Sequence, residues 1–274
     1  MPYVNAGESR LYYEQYGEGV PVVLAHGVGG NHASWFNQIP TLSKSYRVIS
    51  IDQRAFGNST DAEGLGRSAF VDDLRLLLDE LKIDRAALVG QSMGGGTCAA
   101  FTCRYPERVV ALAVCDSLAA IRLPEPYASE LTALNAATRD FSQAQRVLGK
   151  TTLAADPERT LLYLQIASFN SVTLKTVKGA PVPWTPSELA ATGVPILYLV
   201  GEEDVICTPN LIRAAHGLTP GSRYVELPKS GHSAYFETPS AFNAALLQFL
   251  AASCRADLSP GEPPLRGGAC GANP

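Results

Sequence analysis

Short apolar runs alternate with amphipathic segments along most of the chain, and this alternation predicts its secondary structure. We predict strands at the short apolar runs and helices where apolar residues recur every three or four positions. The predicted strands cover residues 20–26, 47–52, 86–91, 109–116, 195–201 and 222–228. The predicted helices lie near residues 33–44, 67–82, 93–105, 209–217 and 239–252. Strands that alternate with helices in this way predict an α/β fold, with a parallel sheet covered by helices on both faces.

The alternation stops at about residue 118 and resumes near residue 186. The intervening segment predicts short helices broken by Pro-containing stretches, which is typical of an inserted helical cap. We therefore predict a core domain made of residues 1–118 and 186–252, with a cap at 119–185. Residues 253–274 are rich in Pro and Gly, and they predict a flexible C-terminal tail.

The composition is that of a globular protein with a substantial core. Of the 274 residues, 46% are hydrophobic and 18% are charged, which excludes a disordered or fibrous chain. The net charge of −4 gives no basic footprint for nucleic acid or an anionic membrane, so a small-molecule substrate is the expected partner. No apolar stretch reaches the roughly 18 residues that a bilayer span requires, and the N-terminus lacks a signal-peptide pattern. The expected location is the cytoplasm, and the oligomeric state stays open.

The six cysteines give no indication of a metal site. They form no CxxC pair and no Cys/His cluster at zinc spacing. Cys98, Cys103 and Cys115 lie in apolar segments, which is typical of small buried hydrophobic residues. Cys254 and Cys270 lie in or near the tail and could pair, although a reducing compartment would keep them as thiols. No motif in the sequence implies a metal, a nucleotide or a flavin.

Residues 90–94 carry the motif G-x-S-x-G between a predicted strand and a predicted helix. This context is typical of a nucleophile elbow, in which a sharp turn exposes Ser92 Oγ at the C-terminal edge of the sheet. Gly90 and Gly94 flank the serine because a β-carbon at either position would collide with a neighbouring strand or helix. A serine in a Gly-rich turn can also simply cap a helix, so the other residues must decide between the two interpretations.

A serine nucleophile needs a base, and His232 is the best placed of the four histidines. It follows the last predicted strand, so we expect it on a loop at the same edge of the sheet. Asp204 follows the preceding predicted strand and completes the chain order Ser, Asp, His. Three further acidic residues remain alternatives for orienting the histidine: Glu202, Glu203 and Asp116.

The loop after the first predicted strand, residues 25–30, is rich in glycine and can turn back toward the nucleophile. It can supply an oxyanion-hole N–H from Val28, with the N–H of Met93 as the second donor. A phosphate-binding loop is the alternative. However, no Lys-Ser/Thr follows the glycines and G-x-G-x-x-G is absent. His26, which lies in this loop, is predicted to be structural.

Taken together, HGVGG, DQRAFGNS, GQSMGG, GEED and SGH occur in the order and context typical of the α/β-hydrolase superfamily, which residues 3–252 resemble. The pattern is most similar to the branch of small esterases, enol-lactonases and cofactor-free haloperoxidases. The resemblance implies a mostly parallel eight-stranded sheet flanked by helices, with the helical cap inserted after the sixth strand. It also implies a triad and an oxyanion hole formed by Ser92, Asp204 and His232 and by Val28 and Met93.

One position departs from the pattern of the superfamily. Ala55 replaces a glycine in the turn that resembles D-x-R-G-x-G-x-S. If this position needs a positive φ, the loop must be adjusted here, and its contact with the active site is then in question.

A serine nucleophile favours acyl transfer, because the haloalkane dehalogenases and epoxide hydrolases of the superfamily place a carboxylate at this position. The expected reaction is hydrolysis of an ester, thioester or lactone through an acyl-enzyme on Ser92. Carbon–carbon bond hydrolases, cofactor-free haloperoxidases and non-catalytic small-molecule receptors remain alternatives. A small apolar or aromatic substrate is expected, and the residues predicted to contact it are Trp184, Phe141, Tyr127 and Tyr235.

Overall fold

The computed structural model describes residues 2–255, whose eight strands form one sheet. The strands are β1 (Tyr3–Ala6), β2 (Ser9–Tyr16), β3 (Pro21–Ala25), β4 (Arg47–Ile51), β5 (Ala86–Gln91), β6 (Val109–Cys115), β7 (Ile196–Gly201) and β8 (Arg223–Leu227). Their order in the sheet is β1-β2-β4-β3-β5-β6-β7-β8. β1 pairs antiparallel with β2, and β2 pairs antiparallel with β4, whereas the other pairs are parallel. This topology confirms the predicted α/β-hydrolase fold.

Helices cover both faces of the sheet. They are α1 (Ile39–Leu42), α2 (Phe70–Glu80), α3 (Met93–Arg104), α4 (Tyr127–Ala137), α5 (Gln143–Val147), α6 (Lys150–Ala155), α7 (Pro157–Ser168), α8 (Pro186–Ala191), α9 (Pro209–Gly217), α10 (Ala234–Glu237) and α11 (Pro239–Arg255). Successive side chains of the central strands enter opposite cores. For example, Val23 lies in one core cluster, whereas Val22 and Leu24 lie in the other. No helix within residues 2–255 is both long enough and apolar enough to cross a bilayer.

The helix predicted over residues 33–44 is two separate pieces in the structure. A 3₁₀ helix covers His32–Trp35, and α1 begins at Ile39. Pro40 occupies the first turn of α1. A proline has no N–H, and its ring clashes with the carbonyl four residues earlier, so one helix cannot continue through this position.

The segment between β6 and β7 contains the helices α4 to α7, after which α8 returns to the core. Leu189 of α8 is completely buried in a core cluster, whereas α4 has no buried residue. We interpret residues 119–185 as the cap and use that name below.

The C-terminal helix continues beyond the predicted end of the core at residue 252. α11 ends at Arg255, and Cys254 within it is only 7% exposed. The first residues assigned to the tail are therefore helical. The remainder of the predicted tail, including Cys270, lies outside the described residues.

Ala55, in the turn after β4, has a left-handed backbone conformation, with a φ of 71°. Asp52 holds the turn, because its Oδ1 accepts a hydrogen bond from the His32 N–H at 2.6 Å. The Gln53 N–H donates to His26 Nε2 at 3.0 Å, which connects the turn to the loop after β3. The loop therefore retains the conformation that suits glycine, at a cost to Ala55 of roughly 1 kcal/mol.

Ala55→Gly is expected to raise the free energy of unfolding by about 1 kcal/mol, because glycine adopts a positive φ without steric cost. Ala133→Gly is the matched control. Ala133 lies exposed within α4, so glycine there should lower the free energy of unfolding by about 1 kcal/mol. Urea denaturation of both variants measures the direction of each change in the free energy of unfolding. A loss of stability in Ala55→Gly would contradict the interpretation of this turn.

Candidate active site

Ser92 lies in the sharp turn between β5 and α3, with φ 51° and ψ −117°. The turn can form because glycines stand on both sides of it. A β-carbon on Gly90 would lie 2.4 Å from the Gly94 carbonyl oxygen, and one on Gly94 would lie 2.2 Å from the Ala25 carbonyl oxygen. The Ser92 N–H donates to the Cys115 carbonyl at 2.9 Å, which fixes the turn against β6. The strained backbone thus presents Ser92 at the C-terminal edge of the sheet.

The structure brings Ser92, His232 and Asp204 together in a continuous chain of hydrogen bonds. Ser92 Oγ lies 2.7 Å from His232 Nε2, and His232 Nδ1 lies 2.8 Å from Asp204 Oδ2. The other carboxylate oxygen of Asp204 accepts the N–H groups of Ile206 and Cys207, both at 2.8 Å. Both His232 and Asp204 are only 3% exposed. With Nδ1–H donating to the carboxylate, Nε2 is the nitrogen that can accept the serine proton.

Asp116, one of the alternative acids, has a different function in this structure. It follows β6, and its Oδ1 accepts the Gly201 N–H at 2.8 Å. Burial and the nearby Asp204 carboxylate raise the pKa of Asp116 well above its usual range. The nitrogen Nδ1 of His232 is bound by Asp204 and not by Asp116.

Glu202 and Glu203 also bind elsewhere. Glu202 Oε2 accepts the Lys229 N–H at 3.2 Å. Glu203 accepts the Thr151 N–H at 2.8 Å and the Thr151 hydroxyl at 2.6 Å, which connects the Asp204 loop to the cap. Within residues 2–255, neither glutamate hydrogen-bonds to His232.

Glu237 is a buried carboxylate that sequence reasoning missed. One of its oxygens accepts the Gly149 N–H and the Thr152 hydroxyl of the cap, both at 2.7 Å. The other oxygen accepts the N–H of Gly231 at 2.8 Å, directly before His232. Glu237 therefore joins the cap to the histidine loop. No local pattern could reveal this, because Thr152 is 85 positions away in the chain.

The proposed oxyanion-hole donors both lie beside Ser92. Among the described residues, neither the Val28 N–H nor the Met93 N–H has a protein acceptor. Val28, Ser92 and Met93 line a cavity of about 230 Å³, which we call the small chamber. Two unsatisfied N–H groups next to a serine hydroxyl can stabilise a negatively charged oxygen.

A second cavity of about 700 Å³, the large chamber, meets the small chamber at Val28 and Ser92. His232 also lines the large chamber, and most of its remaining lining residues belong to the cap. Phe141 is among them and is 41% exposed. Tyr163, which is 5% exposed, also lines this chamber.

The other three aromatic residues predicted to contact substrate line neither chamber. Trp184 is 1% exposed, and its indole N–H donates to a backbone carbonyl at 2.9 Å. Tyr235 packs on Trp35, with ring centroids 4.7 Å apart. Tyr127 packs against the core. Trp184 and Tyr235 are thus packed in the interior, whereas Tyr127 is only partly buried.

One cluster of side chains has the composition of a metal site. The ligand atoms of Asp204, Cys207 and His232 lie within 4.8 Å of one another. However, both Asp204 oxygens already accept hydrogen bonds, and burial raises the pKa of the Cys207 thiol well above its usual range. The described hydrogen bonds thus account for both oxygens of Asp204 and for Nδ1 of His232.

Comparisons with known proteins agree with this architecture. A "Putative non-heme bromoperoxidase" of Mycobacterium tuberculosis is 28% identical over 270 residues, covering 88% of this chain and 98% of the relative. The thermophilic esterase of Thermogutta terrifontis superposes with a TM-score of 0.75 at 28% identity, covering 91% of this chain and 97% of that one. The enol-lactonase of Burkholderia xenovorans superposes with a TM-score of 0.74 at 26% identity, covering 91% and 100%.

The sequence model of the alpha/beta hydrolase fold family matches residues 20–158, which is half of the chain. The matched region contains β3 to β6, the elbow and the first part of the cap. From this match and the shared topology, the protein belongs to the alpha/beta hydrolase fold family, in the branch of small esterases, enol-lactonases and non-heme haloperoxidases.

Proposed function

We propose that the protein is a serine hydrolase that cleaves a carboxylic ester or lactone through an acyl-enzyme on Ser92. The observation that carries this proposal is the unbroken hydrogen-bond chain from Ser92 through His232 to Asp204. The esterase and enol-lactonase relatives add support for this reaction class.

In the first half of the reaction, Ser92 Oγ attacks the substrate carbonyl while His232 Nε2 takes the serine proton. Charge develops on the carbonyl oxygen, where the N–H groups of Val28 and Met93 stabilise it. The imidazolium then donates its proton to the leaving alcohol. Asp204 holds the ring in the productive tautomer and stabilises the positive charge of His232.

In the second half, water replaces the alcohol beside His232. His232 takes a proton from this water, which attacks the acyl carbonyl, and the same N–H donors stabilise the second oxyanion. The proton then returns to Ser92 Oγ as the carboxylic acid leaves. For a lactone, alcohol and acid are parts of one product molecule.

The two chambers offer space for the two parts of an ester. They meet at Ser92, so the acyl group and the alcohol can extend in different directions from the reacting carbon. Phe141 and Tyr163 in the large chamber suit an apolar or aromatic part of the substrate.

Ser92→Ala should lower kcat for a short-chain nitrophenyl ester to near the background rate, a loss of about 10⁶-fold by analogy with other serine hydrolases. Ser45→Ala is the control, because Ser45 is exposed between α1 and β4. An organophosphonate should add its mass to the peptide that contains Ser92. Hydrolysis at the wild-type rate in Ser92→Ala, with the label on another peptide, would rule out this mechanism. Absence of turnover by the wild type would instead favour a receptor.

Asp204→Asn should lower kcat by roughly 10³ to 10⁴-fold, because an amide cannot hold the His232 tautomer or stabilise the imidazolium. Asp116→Asn should lower kcat by no more than about tenfold, roughly 1.4 kcal/mol. An asparagine keeps an acceptor for the Gly201 N–H, and Asp204 remains in place to orient His232. The steady-state kcat of both variants measures the difference. If the larger loss of kcat occurs in Asp116→Asn, then Asp116, which follows β6, is the acid that orients His232.

Phe141→Ala should change kcat/KM unevenly across a series of nitrophenyl esters with acyl chains of different length, because Phe141 lines the large chamber. Trp184→Ala is the comparison. It should lower the free energy of unfolding by about 3–5 kcal/mol, because a buried ring is lost. Any change in kcat/KM should be the same for all esters of the series. Equal changes across the ester series in Phe141→Ala would argue against a substrate contact.

A further inference from the structure

The large chamber carries more positive than negative charge, although the whole protein has a net charge of −4. Arg139, Arg146 and Lys175 line it, against a single aspartate, Asp140. All four residues belong to the cap. The sequence predicts a small apolar or aromatic substrate, whereas this chamber also presents a cluster of cations.

Arg146 is the least exposed of these three cations. Arg139 and Lys175 are exposed, whereas Arg146 is half-buried. One of its nitrogens, Nη1, donates to the Thr138 carbonyl at 2.8 Å, which anchors the side chain to the end of α4. Among residues 2–255, no carboxylate lies within ion-pair distance of Arg146. A partly buried guanidinium without a carboxylate retains donors for an anion.

The carboxylates closest to the proposed triad do not neutralise this charge from inside the chamber. Asp204, Glu203 and Glu237 are absent from its lining, and each accepts hydrogen bonds from other donors. Among the acidic residues within 2–255, only Asp140 lines the large chamber, and it is exposed. The chamber beside Ser92 and His232 therefore has a surplus of cations to offer a ligand.

We propose that the substrate carries a carboxylate in addition to its scissile ester or lactone, and that Arg146 binds this carboxylate in the large chamber. The inference rests on the proposed hydrolysis at Ser92 and makes its substrate class more specific. A guanidinium recognises a carboxylate through parallel N–H···O bonds, which provide orientation as well as affinity. The apolar side chains of Phe141 and Tyr163 would contact the rest of the molecule.

The test compares anionic esters with their neutral counterparts. Mono-para-nitrophenyl adipate carries the carboxylate on the acyl part, and a carboxylated nitrophenyl acetate carries it on the leaving group. Together they cover both orientations of an ester. The methyl ester of each carboxylate is the neutral counterpart, and the uncatalysed rate is subtracted. The quantity measured is the ratio of kcat/KM for the anionic ester to kcat/KM for the neutral one.

For at least one pair, Arg146→Gln should lower this ratio about tenfold or more, the size of one lost charge-assisted hydrogen bond. Arg146→Lys should lower it less, because the charge remains and only the paired geometry is lost. Arg213→Gln is the matched control. This variant also removes one guanidinium charge, but from an exposed ion pair with Glu226. Its ratio of kcat/KM for the anionic ester to kcat/KM for the neutral ester should therefore equal the wild-type ratio. Ratios that are unchanged in Arg146→Gln for both pairs would overturn the proposal.

A binding measurement separates this inference from the proposed function. Calorimetry with Ser92→Ala compares monomethyl adipate, which is anionic, with dimethyl adipate, which is neutral. Tighter binding of the anionic ester, and loss of this preference when Arg146→Gln is added, would support the proposal even without turnover. Equal binding of the two esters, or no binding of either, would contradict it. Ester hydrolysis that depends on Ser92 but not on Arg146 would leave the proposed function standing alone.

Discussion

The close approach of the backbone around Ser92 is the constraint on which the site depends. A residue with φ 51° and ψ −117° is strained by about 1–3 kcal/mol and persists only where surrounding packing imposes it. Here β5 lies between β3 and β6, and Gly90 and Gly94 let α3 begin directly against the strands. If either glycine had a side chain, α3 would move away from the sheet edge. Ser92 would then lose its position relative to His232.

The acidic residues near this edge show how environment assigns different roles to the same chemical group. Asp204 accepts two backbone N–H groups in addition to His232, which suits an ionised carboxylate. Burial raises the pKa of Asp116, and repulsion from the nearby Asp204 carboxylate raises it further. Glu237 uses its oxygens to hold backbone and hydroxyl donors from two segments. Only one of the three therefore remains available to orient a histidine.

The same contacts connect the cap to the proposed catalytic residues. Glu203 and Glu237 accept hydrogen bonds from cap residues within Gly149–Thr152. Glu203 precedes Asp204 directly, and Glu237, at the end of α10, also accepts the N–H of Gly231, which precedes His232. The fit is close, since a β-carbon on Gly231 would lie 2.3 Å from the Gly149 nitrogen. These contacts hold the cap segment Gly149–Thr152 against the residues beside Asp204 and His232.

The sequence by itself determined the parallel sheet and the residues at its C-terminal edge. Apolar runs and helical periodicity are local signals, and Ser92, Asp204 and His232 each follow a strand whose end lies at one shared edge. Only the tertiary structure decided that Trp184 packs inside, that Glu237 joins two segments and that Arg146 lines the large chamber. These outcomes depend on contacts between cap segments and loops far apart in the chain, where no repeating pattern shows which face of a short helix meets the core.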